Sequence, residues 1–279
     1  EDSLSNPGEE IGVAGGNNKT RLAARYLRKE FTTDKAVERA VLYISGLGSY
    51  EAYLNGKKVS EDVFAPMPSL YYKRIYYNVY DVTSLLNQGG NAIGILLGNG
   101  FYNVQGGRYR KLQISFGAPT LFFKLIMKYT DGTQKEVLSG ADWKYSLSPI
   151  TFNCIYGGED YDARLEQKGW NMPGFDDSLW KNAVETNSPT QRICSQVLQP
   201  IRKTACYMAL KCIKINDNCY VYHFPKNIAG ITELRVKGKK GTKVRLEIEP
   251  AKGGKSRIVT LVRDKVRIED QAAKLTVSK

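Results

Sequence analysis

Two short stretches of this chain hold the side chains that could do chemistry. Residues 98–107 read GNGFYNVQGG and residues 153–170 read NCIYGGEDYDARLEQKGW. The first sets Asn99 and Asn103 around two adjacent aromatics, Phe101 and Tyr102, on a glycine-rich segment. The second puts Asn153 ahead of three closely spaced carboxylates, Glu159, Asp160 and Asp162. Carboxylates work as a general acid and base only when they reach a substrate from different sides. Neighbours on one short segment do not achieve that by themselves, and no base partner is evident. Their expected work is structural, accepting bonds from backbone amides or pairing with Arg164. No catalytic residue is assigned. The asparagines and aromatics suit a binding surface better, because amides pair with polar ligand groups and rings cover apolar ones. The competing expectation is that Phe101 and Tyr102 plug the end of the fold.

Other reactive groups are sparse. Cys154, Cys194, Cys206, Cys212 and Cys219 form no CxxC pair, and His223 is the sole histidine. Zinc sites space their ligands more tightly, so no metal–cysteine site is expected. The thiols are expected to be free and buried, although Cys206, Cys212 and Cys219 are near enough in sequence for one adventitious disulfide. His223 is expected to be an ordinary strand residue.

The elements that position these residues are strands. Tyr50, Ala52 and Leu54 alternate, then Asn55-Gly56 supplies two residues tolerant of positive φ, the signature of a two-residue hairpin turn within residues 41–59. Leu121, Phe123, Leu125, Met127 and Tyr129 alternate against Lys124 and Lys128, with Asp131-Gly132 as the next turn. Residues 26–31 predict an edge strand, 71–80 a tyrosine-rich strand, and 92–97 a buried one. Asp81 is expected to cap one helical turn. Pro66 and Pro68 mark a surface crossing. Residues 174–180 predict a turn and short helix, and Trp143, Trp170 and Trp180 are expected in packed interiors.

Long helical periods are absent, so the fold class is all-β. A chain of 279 residues has room for about two domains. Residues 1–25 are expected to be a polar tail or linker, 26–196 one sandwich of about eight strands, and 197–279 a second, apparently truncated β-domain with strands at 220–224, 232–236 and 243–249. The net charge of +13 is concentrated there: 19 Lys and Arg against 7 Asp and Glu from residue 197 onward, 22 against 21 before it. Such an end could draw a polyanion, making a stand-alone interaction module the alternative function. A solvated or covered face is the preferred explanation, and no nucleic-acid partner is expected. No apolar run reaches the roughly 18 residues of a membrane span. The polar start shows no signal peptide, which leaves the compartment open.

Several motifs in order resemble the N-terminal accessory region of bacterial α-L-rhamnosidases of glycoside hydrolase family 78. They are LYISGLGSYEAYLNG (42–56), YYKRIYYNVYDVTSLL (71–86), GNGFY (98–102), IYGGEDYDAR (155–164) and GWNMPGFDDSLW (169–180), covering about residues 26–183. YHFPKNIAG (222–230) and residues 234–246 match the next β-domain more weakly. Departures are Phe101 for the family's tryptophan, Gly157 for its aspartate, and His223-Phe224-Pro225-Lys226-Asn227 for a DFGQN-like run; they bear on ligand binding more than on fold.

The resemblance implies a galactose-binding-like jelly-roll β-sandwich, non-catalytic, for carbohydrate recognition or support of a catalytic domain. It also implies that the helical (α/α)6 catalytic barrel is a missing partner on the same polypeptide and that the chain is a fragment of a periplasmic or secreted bacterial enzyme rather than a cytoplasmic one. The implied ligand is a rhamnose-containing glycan, met by Asn99, Phe101, Tyr102 and Asn103, with Asn153, Glu159 and Asp160 as a second wall. The resemblance permits Ca²⁺ held by oxygen, though no spacing requires it.

Overall fold

The computed structural model describes residues 22–104, 114–216, 219–231 and 233, with the backbone of two strands further on. Two compact units divide the chain, residues 1–202 and 203–279. In the first unit the strands are β1 (Arg25–Thr33), β2 (Val37–Leu47), β3 (Ser49–Leu54), β4 (Lys57–Lys58), β5 (Asp62–Val63), β6 (Ile75–Asp81), β7 (Gly89–Gly98), β8 (Asn103–Val104) and β9 (Ile114–Ser115). They continue as β10 (Thr120–Tyr129), β11 (Gln134–Leu138), β12 (Lys144–Leu147), β13 (Ile150–Cys154), β14 (Gly158–Tyr161), β15 (Lys181–Asn182), β16 (Ile193–Ser195) and β17 (Ile201–Arg202). Among the described residues there is no α-helix.

Two sheets face each other in a jelly-roll β-sandwich. One has six strands in the order β15-β12-β1-β7-β3-β4, the other five in the order β11-β10-β2-β6-β16. Eight of these strands have four or more residues, as expected; β4, β15 and β16 are two- or three-residue additions at the edges. The alternation of residue types decides which side faces inward. Leu42 and Ile44 of β2, Tyr50, Ala52 and Leu54 of β3, Ile93, Ile95 and Leu97 of β7, and Phe123, Leu125 and Met127 of β10 form one core with Trp143. None is more than 5% exposed. Each large apolar side chain so buried stabilises the fold by about 1.5–3 kcal/mol.

Asn55 (φ 53°) and Gly56 (φ 78°) make the predicted hairpin turn, with Leu54 opposite Lys57. Asn55 has a second task. Its side chain donates to Asn91 Oδ1 (2.7 Å) and to the Leu85 carbonyl (2.9 Å), and accepts from the Ala92 amide (2.9 Å). The hairpin is thereby bonded to β7 beyond the strand ladder. The expected cap changes: Val82, not Asp81, holds the N-cap position of the 3₁₀ turn Thr83–Leu85, and Asp81, one residue earlier, accepts from the Thr83 amide at 3.0 Å.

Several expectations change. β1 is no edge strand: it lies between β12 and β7. The tyrosine-rich strand begins only at Ile75, because residues 71–73 turn. Residues 174–180 contain turns without a helix. All five cysteines are free, but only Cys154 is buried; Cys206, Cys212 and Cys219 are exposed. β17 adds a ladder to β5, and Arg202 there donates to the buried Asp62 at 2.6 Å.

The outer face of the six-stranded sheet is covered by a strap, residues 169–180. Arg28 of β1, 1% exposed, holds it. The guanidinium donates to the carbonyls of Trp170 (2.8 Å), Met172 (3.0 Å) and Phe175 (3.4 Å), and to the carboxylates of Glu30 (2.5 Å) and Asp177. A buried charge is tolerable only when its donors are met in this way. Across the sheet Arg28 stands beside Gly94 and Gly94 beside Tyr53. The missing side chain at Gly94 makes room for Trp170, which stacks on Tyr26 (4.0 Å between centroids) and meets Tyr53 edge-on (5.8 Å). Trp180 joins the same cluster.

In the second unit, β18 (Lys211–Asn216) pairs with β19 (Cys219–His223), and β20 (Lys243–Ile248) with β21 (Arg257–Val262), all antiparallel. β18 had no counterpart in the sequence reading. His223 is the strand residue expected of it. The strand expected at 232–236 lies outside the described residues except for Glu233.

Candidate functional site

The loop after β7 and the hairpin β13–β14 meet at one end of the sandwich. Gly100 (φ 52°) lies so close to Gly48 and Ser49 that a Cβ would come within 2.6–2.8 Å of their atoms, so only glycine fits there. This close crossing turns Asn99 inward. Asn99 is 2% exposed. Its backbone amide donates to Asn153 Oδ1 (2.6 Å), and its Nδ2 donates to the carbonyls of Leu22 and Asn153 (2.9 Å each). Its Oδ1 accepts from Asn103 Nδ2 at 3.2 Å. Asn153 Nδ2 also donates to Leu22 at 3.2 Å. Asn99, Asn103 and Asn153 therefore form an internal brace that ties the loop to β13 and to the segment before β1.

One atom of that brace stands out. Asn103 Oδ1 is buried with no partner among the described residues. An unmet buried acceptor costs about 1–3 kcal/mol, so a donor at this point would be favoured.

Tyr102 is 4% exposed and packs edge-on against Tyr71 (4.9 Å) with Phe116 beside it (5.8 Å). It plugs the end of the five-stranded sheet over Leu47 and Ile75, as one of the two sequence expectations had it. Burial raises its pKa. Phe101 turns the other way. It is half-buried on Val104, Phe152 and Cys154, and its ring lies 6.4 Å from that of Tyr156, edge-on.

The hairpin register sorts the second group. Asn153 pairs with Glu159 and Phe152 with Asp160, so the members of each pair share a face. Asp160 lies on the face that carries Phe152, against which Phe101 packs; Glu159 lies with Asn153 on the opposite face. The seven residues singled out in the sequence are thus divided. Phe101 and Asp160 share one side, Asn153 and Glu159 the other, while Asn99, Tyr102 and Asn103 are interior. Crowding by its neighbours first, and the Glu51 carboxylate second, raise the pKa of Glu159, while enough of the residue is exposed to keep it hydrated. Asp162 does pair with Arg164, accepting from its backbone amide (3.1 Å), Nε (2.8 Å) and Nη2 (2.5 Å). Those bonds, the side-chain ones first, hold its pKa down at about 2.

Calcium needs six to eight oxygen ligands. Of the three amide oxygens in the brace, two already accept hydrogen bonds, and no group of three or more His, Cys, Asp or Glu among the described residues could hold a metal. The donor set does not fit the ion. Tyr156, 48% exposed, was missed by sequence reasoning. Its signal was its place before Gly157-Gly158, a turn that presents the side chain outward.

Among the described residues no helix is long and apolar enough to cross a membrane. The family described as the α-L-rhamnosidase N-terminal domain matches residues 35–205. An α-L-rhamnosidase of Formosa agariphila is 43% identical over 223 residues, 78% of this chain and 23% of that protein. The crystal structure of Streptomyces avermitilis α-L-rhamnosidase complexed with L-rhamnose is 36% identical, with a TM-score of 0.75 over 82% of this chain and 22% of that one. The chain thus spans about a quarter of the length of these relatives. A stretch of 45 residues, 16% of this chain, is 89% identical to 6% of a tail-specific protease of Haemophilus influenzae.

Proposed function

This chain belongs to the α-L-rhamnosidase N-terminal domain family, and from that membership we propose that it is a non-catalytic, glycan-recognising region serving an α-L-rhamnosidase. The observation that carries the proposal is the rim formed by Phe101 and Tyr156. These rings meet edge-on at the surface, with Asp160 on the same side of the hairpin. A deoxy-sugar such as L-rhamnose has a methyl-bearing face for an aromatic ring and hydroxyls for a carboxylate. The asparagine brace behind the rim keeps the loop in place, which lowers the ordering cost of binding.

In this reading the rest of the enzyme, including its acid and base, lies on a catalytic domain of the same polypeptide, and the chain works outside the cytoplasm where glycan polymers are met. Affinity for one sugar is weak, about millimolar, because a monosaccharide buries little area. The test is an NMR titration with L-rhamnose. Phe101→Ala is expected to weaken binding at least threefold while leaving the fold unchanged. Equal affinity in the variant clears the rim of any role, and no binding by the wild-type chain leaves the domain a structural support.

A further inference from the structure

The two outer faces of the sandwich are unlike. The strap held by Arg28 covers the six-stranded sheet, whereas the outer face of the five-stranded sheet carries half-buried and exposed apolar side chains. There Phe122 of β10, Tyr43 of β2, and Tyr77 and Val79 of β6 point outward, opposite to the core residues that alternate with them. Tyr43 is directly opposite Val79 and leans against Tyr77, with ring centroids 6.0 Å apart. Phe122 is 39% exposed and Val79 45%. Tyr71, Tyr102 and Phe116, packed edge-on or tilted over Leu47 and Ile75, close one end of this strip as a step. The hydroxyls of Tyr43 and Tyr77 make no hydrogen bond among the described residues.

We propose that this strip binds a neutral oligosaccharide laid across the strands, with Phe122, Tyr43 and Tyr77 as its stacking rings. Charge selects the ligand class. The ionic groups on the strands of the strip are paired, Lys124 with Glu136 (2.8 Å), Lys128 with Glu38 (2.8 Å) and Arg39 with Asp81 (3.9 Å), so the strip itself offers no unpaired charge to an anion or a cation. Rings carrying free hydroxyls suit an amphipathic sugar, which needs both an apolar floor and hydrogen-bonding groups at its edge. Geometry sets the length. Adjacent strands lie about 4.8 Å apart, so Phe122 and Tyr77, two strands apart, are separated by about 10 Å, a span for more than one sugar ring. The proposal rests on the recognition reading for its ligand class and adds an oligosaccharide surface to a rim sized for a single sugar.

Isothermal titration of the intact chain with L-rhamnose and with a neutral rhamnose trisaccharide tests it, with Phe101→Ala run in parallel so that the two surfaces fail separately. The trisaccharide is expected to bind at least tenfold tighter than the monosaccharide. Phe122→Ala and Tyr43→Ala are each expected to weaken the trisaccharide about three- to tenfold, the scale of a lost ring contact, with L-rhamnose binding unchanged. Phe122→Tyr, which keeps a ring and disturbs nothing buried, is expected to retain the affinity. Trisaccharide affinity unchanged by both alanine variants overturns the proposal, as does dependence on Phe101 alone. A concentration-dependent dimer abolished by Phe122→Ala also overturns it, because the strip would then serve a second copy of the chain.

Discussion

Trp170 occupies the space over Gly94 that a side chain would need. A Cβ at Gly94 would stand 2.7 Å from Cζ3 of the indole and 2.6 Å from Cβ of Asn171. Both neighbours are buried, and the Asn171 backbone is 3.1 Å away, so neither can give way cheaply. Gly94→Ala is expected to cost about 1–3 kcal/mol, as overpacking does, and to loosen the strap first. Hydrogen exchange of residues 169–180 and urea unfolding measure the two effects. A variant as stable and as protected as wild type would refute the packing.

Arg28 and Lys29 are adjacent arginine and lysine in sequence, yet their predicted weights differ. Replacing Arg28 by Met leaves Asp177 and three strap carbonyls without their donor, at an expected cost of about 3–5 kcal/mol. Lys29 pairs with Asp142, whose side chain is 65% exposed, and Lys29→Ala is expected to cost under about 1 kcal/mol. Urea midpoints of the two variants decide this, and similar values would remove Arg28 from its role.

Asp62 links acid stability to the end of the first unit. It is 6% exposed and accepts from Arg202 (2.6 Å) and from the Tyr80 hydroxyl (2.9 Å). Burial alone would raise its pKa, but the bonds from Arg202 and Tyr80 outweigh burial and lower it. The folded protein therefore holds this proton less tightly than the unfolded chain. The resulting stabilisation is complete above about pH 4, the unfolded value, and fades as pH falls through the lower folded value. Asp62→Asn is expected to flatten that part of the acid limb in stability measurements from pH 6 to pH 2. A variant limb as steep as the wild type's would contradict it.

The thiols should separate by depth. Cys206, Cys212 and Cys219 are exposed and are expected to react quickly with a thiol reagent in the native chain, Cys194 more slowly, and Cys154 only after unfolding. A time course of labelling with mass-spectrometric assignment checks the order. Rapid native labelling of Cys154 would show that the β13–β14 hairpin opens.

The strands with a two-residue period were legible without a structure. Tyr50, Ala52 and Leu54, like Phe123, Leu125 and Met127, can place all their apolar groups on one side only in an extended chain. Asn55-Gly56 permits a turn that few other pairs allow. These choices are local, so the residues themselves carry them, and the inward faces follow from the cost of leaving them wet.

What only the tertiary structure decided depends on partners distant in sequence. β1 is interior because β12, more than a hundred residues later, returns to its open side. Arg28 is buried because a strap some 142 residues away brings its carbonyls to it; nothing near an arginine in sequence announces that. Asn99 and Asn103 look like ligand-facing amides on a glycine loop, but the close pass of Gly100 over Ser49 turns them inward, where Asn153 and Leu22 take the hydrogen bonds of Asn99 and Asn99 takes that of Asn103. A polar side chain on a loop satisfies itself with whatever donors and acceptors the fold brings near, and that supply is set by the packing of the whole sandwich.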